Sequence, residues 1–138
     1  MGLIYEEPKL KSKEKILLRY GAGYFPRKVL ISHGGLLYLT TDRVIFRAHK
    51  LDRALSSEEY AVELPISAVK AVGSTPAWRV AMGRRFLRVD GEHRSYLFLF
   101  SLRHPRWRSH FIQELRKTAP RAALIDGWGV YEDGGSSH

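Results

Sequence analysis

Gly35-Leu36-Leu37-Tyr38-Leu39-Thr40-Thr41-Asp42-Arg43-Val44-Ile45-Phe46 is the stretch that decides the fold. Leu36 to Thr40 and Val44 to Phe46 are rich in residues that favour a pleated, half-buried backbone. The polar Thr41-Asp42-Arg43 between them reverses the chain, so the stretch reads as a β-hairpin.

Strand signals continue on both sides. Upstream, Ile16, Leu18, Tyr20, Ala22 and Tyr24 alternate with Lys15, Arg19, Gly21 and Gly23, which predicts a first strand with one buried face over Glu14 to Tyr24. Leu17 interrupts that alternation. Phe25-Pro26-Arg27-Lys28 ends the strand, because proline cannot donate to a sheet ladder. Val29 to Ile31 adds a short extended piece before Ser32-His33-Gly34-Gly35 turns into the hairpin. Still earlier, Lys9, Lys11, Lys13 and Lys15 are spaced at two, so an extended backbone puts all four on one face, either as a basic arm for membrane or nucleic acid or, as is commoner, as a guard on an exposed strand edge.

Downstream, His49 to Glu59 has no apolar period and reads as a surface loop, and Tyr60 to Leu64 resumes alternation. Pro65 to Val69 predicts one helical turn, Lys70 to Val72 an extended segment, and Gly73-Ser74-Thr75-Pro76 a turn by composition. Trp78 to Met82, Arg84 to Asp90 and Arg94 to Phe100 are further strands. Asp90-Gly91-Glu92 between the last two is a strong hairpin signal. Tyr96 to Phe100 is apolar throughout, which predicts burial on both faces with a helix as cover. That helix begins with Pro105 at its first position. It places Trp107, Phe111, Ile112 and Leu115 on one stripe and ends near Thr118-Ala119-Pro120.

The order of elements gives a mainly β fold with one C-terminal α-helix: a curved antiparallel sheet of about seven strands, a partly open barrel, capped by the helix. Tyr20, Tyr38, Phe46, Phe86 and Phe98 are expected to fill its interior. Residues 1–13 form a polar arm, 14–120 the domain and 121–133 a tail in which Leu124, Ile125, Trp128 and Val130 are set among glycines. Residues 134–138, Gly-Gly-Ser-Ser-His, read as a linker or affinity-tag remnant.

With 138 residues, 44% hydrophobic and 27% charged, the composition is that of one ordinary globular domain with one core. The absence of cysteine excludes disulfides, thiolate metal sites and cysteine nucleophiles. The opening Met-Gly-Leu-Ile-Tyr-Glu has no apolar signal core, and Glu6 stands where a myristoylation motif needs Ser or Thr. No apolar run approaches the roughly 20 residues that span a bilayer. A cytoplasmic protein, peripheral to a membrane if it meets one, is the expected localisation. The net charge of +9 is uneven: +3 over residues 1–63, +9 over 64–125 and −3 after that. Such a field favours anionic partners.

The hairpin resembles the central hairpin of GRAM domains, a branch of the pleckstrin-homology-like fold. Glu14-Lys15-Ile16-Leu17, Glu63-Leu64-Pro65-Ile66, Phe86-Leu87-Arg88-Val89 followed by Tyr96-Leu97-Phe98, and Trp107 in the closing helix follow in the same order. Together they cover about residues 14–117 and suggest a small GRAM-like module of the bacterial type. The resemblance implies a binding or scaffold module, not an enzyme. It also implies that Trp107 belongs to the core, where Trp107→Ala would cost about 3–5 kcal/mol.

Phosphoinositide-binding pleckstrin homology domains use a lysine late in the first strand and a basic-x-Arg pair in the second. This chain departs from that pattern, since Leu36 to Thr40 carries no basic residue. A basic rim for an anionic ligand is formed instead by Arg27, Lys28, Arg43, Arg47, His49 and Lys50. A second patch, Arg79, Arg84, Arg85, Arg88 and Arg94, cannot lie on one strand face, because 85 and 88 differ in parity. Those arginines are expected to be solvated, their stems covering apolar sheet.

Other chemistry finds no pattern. His33, His49, His93, His104, His110 and His138 show no metal-ligand spacing, Gly21-x-Gly23 lacks the rest of a nucleotide fingerprint, and no nucleophile elbow is present. No catalytic residue, metal or cofactor is expected. The partners implied are an anionic membrane surface or a protein, with a second copy of the chain as a further candidate. Nucleic acid is the alternative suggested by the pI near 10. A carrier of small apolar ligands is the third reading, which bulky interior residues oppose.

Overall fold

The computed structural model describes residues 8–25, 33–48, 61–76, 85–101, 103–126 and 131–132. Its elements are β1 (Ile16–Phe25), β2 (His33–Thr40), β3 (Arg43–Ala48), β4 (Ala61–Pro65), a 3-10 turn (Ile66–Ala68), β5 (Ala71–Pro76), β6 (Arg85–Asp90), β7 (Ser95–Leu99), α1 (Trp107–Thr118), β8 (Ala123–Asp126) and β9 (Tyr131–Glu132). The expected segments Val29 to Ile31 and Trp78 to Met82 and the loop His49 to Glu59 lie outside the described residues.

The nine strands among the described residues join one sheet in the order β4-β3-β2-β1-β7-β6-β5-β8-β9, antiparallel except where β8 runs parallel to β5. The deciding hairpin forms as its pattern requires, with Leu39 opposite Val44 and Gly35 opposite Ala48. Thr40 fixes the turn: its Oγ1 accepts the backbone N–H of Asp42 and of Arg43, so the reversal needs only Thr41 and Asp42 and Arg43 already belongs to β3. β1 is long enough to serve both halves of the sheet. It pairs with β2 from Ile16 to Tyr24 and with β7 from Gly23 to Phe25, and this shared strand bends the sheet onto itself.

The concave face holds the main core. Tyr24, Leu37, Phe46, Leu87 and Phe98 meet Phe111 and Leu115 of α1, and none of them is measurably exposed. Strand parity puts the other residues on the opposite face, where Phe25, Phe86 and Leu97 form a second buried cluster and Ala71, Ala123 and Ile125 a third. β7 is thus buried on both faces, as its apolar run predicts. Two interior assignments are corrected by the same parity. Phe86 belongs to the second cluster, and Tyr38, which alternates with Leu37 and Leu39, faces away from the main core although it too is buried.

Three further expectations are corrected. Gly73 to Pro76 is not a turn but the second half of β5, paired with β6 from Ser74–Leu87 to Pro76–Arg85. The sequence there looks turn-like because β8 passes so close that a side chain at Gly73 has no room. A Cβ built on it would stand 2.0 Å from Ile125 O and 2.6 Å from Ile125 N. Pro105 lies in the turn before α1, whose N-cap is Arg106. The four lysines do not line an edge strand. Residues 9–15 form no strand, Lys13 sits at φ 70°, and β1 is central in the sheet.

Gly73→Ala is accordingly expected to destabilise by about 1–3 kcal/mol, the range for inserting a carbon into a packed site. Hydrogen exchange should speed most in Ala123–Asp126. Unchanged exchange in β8 with unchanged stability would contradict the pairing.

Candidate functional site

The first predicted rim is divided by the structure. Arg27, Lys28, His49 and Lys50 lie outside the described residues. Arg43 is committed inward: Nε donates to Glu14 Oε2 at 3.0 Å, Nη2 stands 2.6 Å from Glu14 Oε1, and Nη1 is 3.4 Å from Glu63 Oε2. Its side chain is only 9% exposed, so its guanidinium does not present itself to a ligand. Arg47 shares Glu63, at 2.7 Å. Arg43 and Arg47 share one strand face, but Glu14, in the turn before β1, and Glu63, on β4, supply the carboxylates that pair with them.

The second patch is divided too. Arg79 and Arg84 lie outside the described residues. Arg85 donates to Asp126 at 2.9 Å and to Ser74. Arg88 makes a two-pronged pair with Asp90, at 2.9 and 3.0 Å, and both are buried, which corrects the expectation of a solvated arginine. Arg94 reaches the Tyr24 hydroxyl at 3.1 Å and lies over the Tyr96 ring.

Glu14, Glu63, Asp90, Glu92, Glu114 and Asp126 therefore each stand within ion-pair reach of a basic side chain. Exposed cations without an ion pair among the described residues include Lys9, Lys11, Lys13, Lys15 and Arg19 before and along β1, and Arg103, Arg106, Arg116 and Arg121 around α1. Arg108, half-buried on α1, donates to Arg85 O.

The first group is held in place by Glu14, which sequence reasoning passed over. Glu14 Oε1 accepts the Lys11 N–H at 2.8 Å, while the Glu14 N–H returns to Lys11 O at 3.0 Å, closing a turn over Lys11 to Glu14. Thr40 Oγ1 donates to Glu14 Oε2, and Arg43 Nη2 donates to Lys9 O at 2.9 Å. Lys15 and Thr41 exchange two bonds: Thr41 N–H to Lys15 O at 2.9 Å and Lys15 N–H to Thr41 Oγ1 at 3.1 Å. Arg43 is thus a strut for the lysine segment. These bonds, with Arg43 first, hold the Glu14 carboxyl at about 2 against the opposing effect of burial. Glu63 is likewise lowered, chiefly by its hydrogen bond to Arg47.

β1 enters the sheet through an irregularity. Its pairing with β2 shifts between Ile16 and Leu18, a bulge that leaves Leu17 out of register. Ile16 and Leu17 are consequently both exposed, at 44% and 41%, and Leu10 is 40% exposed. The break in alternation at Leu17 was the signal in the sequence that could have located this surface.

An aromatic rim lies where α1 meets β1. Trp107 stacks between His104, with centroids 3.7 Å apart, and Tyr20, at 4.6 Å. The Tyr20 hydroxyl and His110 Nδ1 are hydrogen-bonded at 2.6 Å. Burial, then the nearby Glu114 charge, raises the Tyr20 pKa. Trp107 is half-buried, packed on the core's rim, so the full burial expected of it is corrected: Phe111 and Leu115 occupy the centre. Beyond it, a groove of about 540 Å³ runs between α1 and β8, lined by Ser109, Ile112, Gln113, Arg116, Lys117 and Leu124. Among the described residues, no group of three His, Asp or Glu is placed to hold a metal, and no helix is long and apolar enough to cross a membrane.

No protein-family model and no curated protein matches the chain by sequence. Solved structures match its fold. The hSac2 domain from the human phosphoinositide phosphatase Sac2 superposes with a TM-score of 0.60 at 12% identity, over 94% of this chain and 86% of that one. The Vps36 N-terminal PH domain gives 0.53 at 14%, over 80% and 86%. The C-terminal domain of an unknown protein from Leishmania infantum gives 0.52 at 13%, over 75% and 86%. The fold is pleckstrin-homology-like: mainly β, an open curved sheet, one helix towards the C-terminus.

Proposed function

We propose that this chain, with its pleckstrin-homology-like fold, is a non-catalytic binding module for anionic lipid headgroups at a membrane surface. The observation that carries the reading is the division of charge: Glu14, Glu63 and Asp90 are engaged by Arg43, Arg47 and Arg88, while Lys9, Lys11, Lys13, Lys15 and Arg19 remain exposed without ion pairs among the described residues. Anionic lipids of a cytoplasmic leaflet supply the matching field. Lipid is favoured over nucleic acid because Tyr20 and Trp107 stack on each other instead of offering faces to bases. Within the fold class, the ordered motifs from Glu14 to Trp107 support a place beside GRAM domains.

At about 1 kcal/mol per basic residue near an anionic surface, five residues contribute about 5 kcal/mol, a dissociation constant of hundreds of micromolar. Flotation is expected to recover the protein with vesicles in which a third of the phosphatidylcholine is replaced by phosphatidylserine. Recovery should weaken as salt is raised and fail with phosphatidylcholine alone. Equal recovery from both vesicles overturns the lipid reading and leaves a protein partner as the alternative.

A further inference from the structure

We infer that the segment from Lys9 to Leu17 is the membrane-docking face, and that it docks by seating Leu10, Ile16 and Leu17 below the headgroups of an anionic bilayer while its lysines hold the phosphates. The inference rests on the lipid reading above and assigns it a surface and a mode.

Leu10, Ile16 and Leu17 are the large hydrophobic side chains that stand exposed among the described residues, and all three fall in this one segment. Singly, such exposure is ordinary. Here the three are interleaved with Lys9, Lys11, Lys13 and Lys15, each exposed. Apolar side chains flanked by lysines suit the water–lipid boundary, where the stems enter the apolar layer and the ammonium groups reach back to the headgroups. A protein partner fits the same surface less well, since interfaces between proteins are depleted in lysine. Edge protection does not account for the lysines either, because the strand they lead into is central in the sheet.

The segment is also built to be presented. The Lys11–Glu14 turn, the Arg43 bond to Lys9 O and the two bonds between Lys15 and Thr41 fix its backbone. The shift in register at Leu17 turns two consecutive apolar residues to solvent where regular alternation would bury one. A surface whose order is fixed before contact loses little conformational freedom on docking.

The chain contains no cysteine, so Leu17→Cys creates a single thiol for an environment-sensitive fluorophore. Gln113→Cys, on the exposed side of α1, is the control. With vesicles of phosphatidylcholine and one third phosphatidylserine, the label at 17 is expected to shift to the blue and brighten severalfold, and the label at 113 to stay as in water. Lys11→Glu with Lys13→Glu should weaken flotation by more than about 25-fold, at about fivefold per lost lysine charge before repulsion is added. Melting midpoints matching the parent protein's establish that these variants are folded. If the protein floats with the vesicles while the label at 17 remains as exposed as in buffer, docking uses another face: this inference is overturned and the lipid reading stands. If the unmodified protein does not float, both fall.

Discussion

Glu14→Ala is expected to lower the stability of the protein at neutral pH by about 3–5 kcal/mol, the cost of leaving one member of a buried ion pair without its partner. The Glu14 side chain has no exposed surface and that of Arg43 only 9%, so water cannot replace the lost carboxylate. Glu63, 3.4 Å from Arg43 and already engaged by Arg47 at 2.7 Å, is a poor substitute. The loss is not confined to one pair. Thr40 loses an acceptor and the Lys11 N–H loses its carboxylate, so the turn that displays the lysines loosens with the core. Urea denaturation measures the effect, and a loss below about 1 kcal/mol would contradict this account. Replacing both partners, as Glu14→Leu with Arg43→Met, should cost less than either single change, because neither then leaves a buried charge uncompensated.

The same pair sets an acid limit. Glu14 titrates at about 2 in the folded protein against 4.5 for a free glutamate, so its folded pKa is depressed. Its contribution, on the order of 3 kcal/mol for a shift of that size, is complete above pH 4.5 and disappears as the pH falls to about 2. The stability difference between the parent protein and Glu14→Ala should therefore shrink steadily across that interval.

The fold was legible because period-2 alternation and turn chemistry are local signals. Ile16 to Tyr24 alternates openly, and Leu36 to Phe46 and Arg85 to Leu99 are runs of strand-forming residues that the sheet buries on both faces. The second half of β5 was illegible for the opposite reason: Gly73 answers to Ile125, about fifty residues further on, so its local appearance is that of a turn. Tyr38 and Phe86 were misplaced because bulk does not tell one buried face from another, and this sheet buries both.

Of the proposed docking surface, the four lysines were legible as a candidate basic arm, and their freedom from ion pairs was not. Basic residues can be counted in a sequence, but which of them are free depends on where the carboxylates lie, and Arg43, Arg47, Arg85 and Arg88 all have acidic partners across the sheet or two residues on. Among the described residues, subtracting these pairs leaves free charge on Lys9 to Arg19 and on the flanks of α1. Leu17, a flaw in an otherwise regular pattern, was the local mark of the place where the chain turns apolar side chains outward.

Phe111→Ala is expected to be as costly as the loss of Glu14, about 3–5 kcal/mol, and to exceed Trp107→Ala although tryptophan is the larger residue. Phe111 has no exposed surface and sits with Leu115 against the main core, so its removal opens a void inside that core. Trp107 loses less. It is half-buried on the rim, and its stacking on Tyr20 adds about 0.5–1.5 kcal/mol beyond area, so a total of about 1–3 kcal/mol is expected from partial burial and stacking together. A helix as short as α1 is marginal in water by itself and keeps its form through the face it packs on β5 and β6. The helical signal should therefore vanish in the same denaturation transition as the sheet, at a lower urea midpoint in Phe111→Ala than in Trp107→Ala. The reverse order of midpoints would return Trp107 to the centre of the core and place Phe111 at its margin.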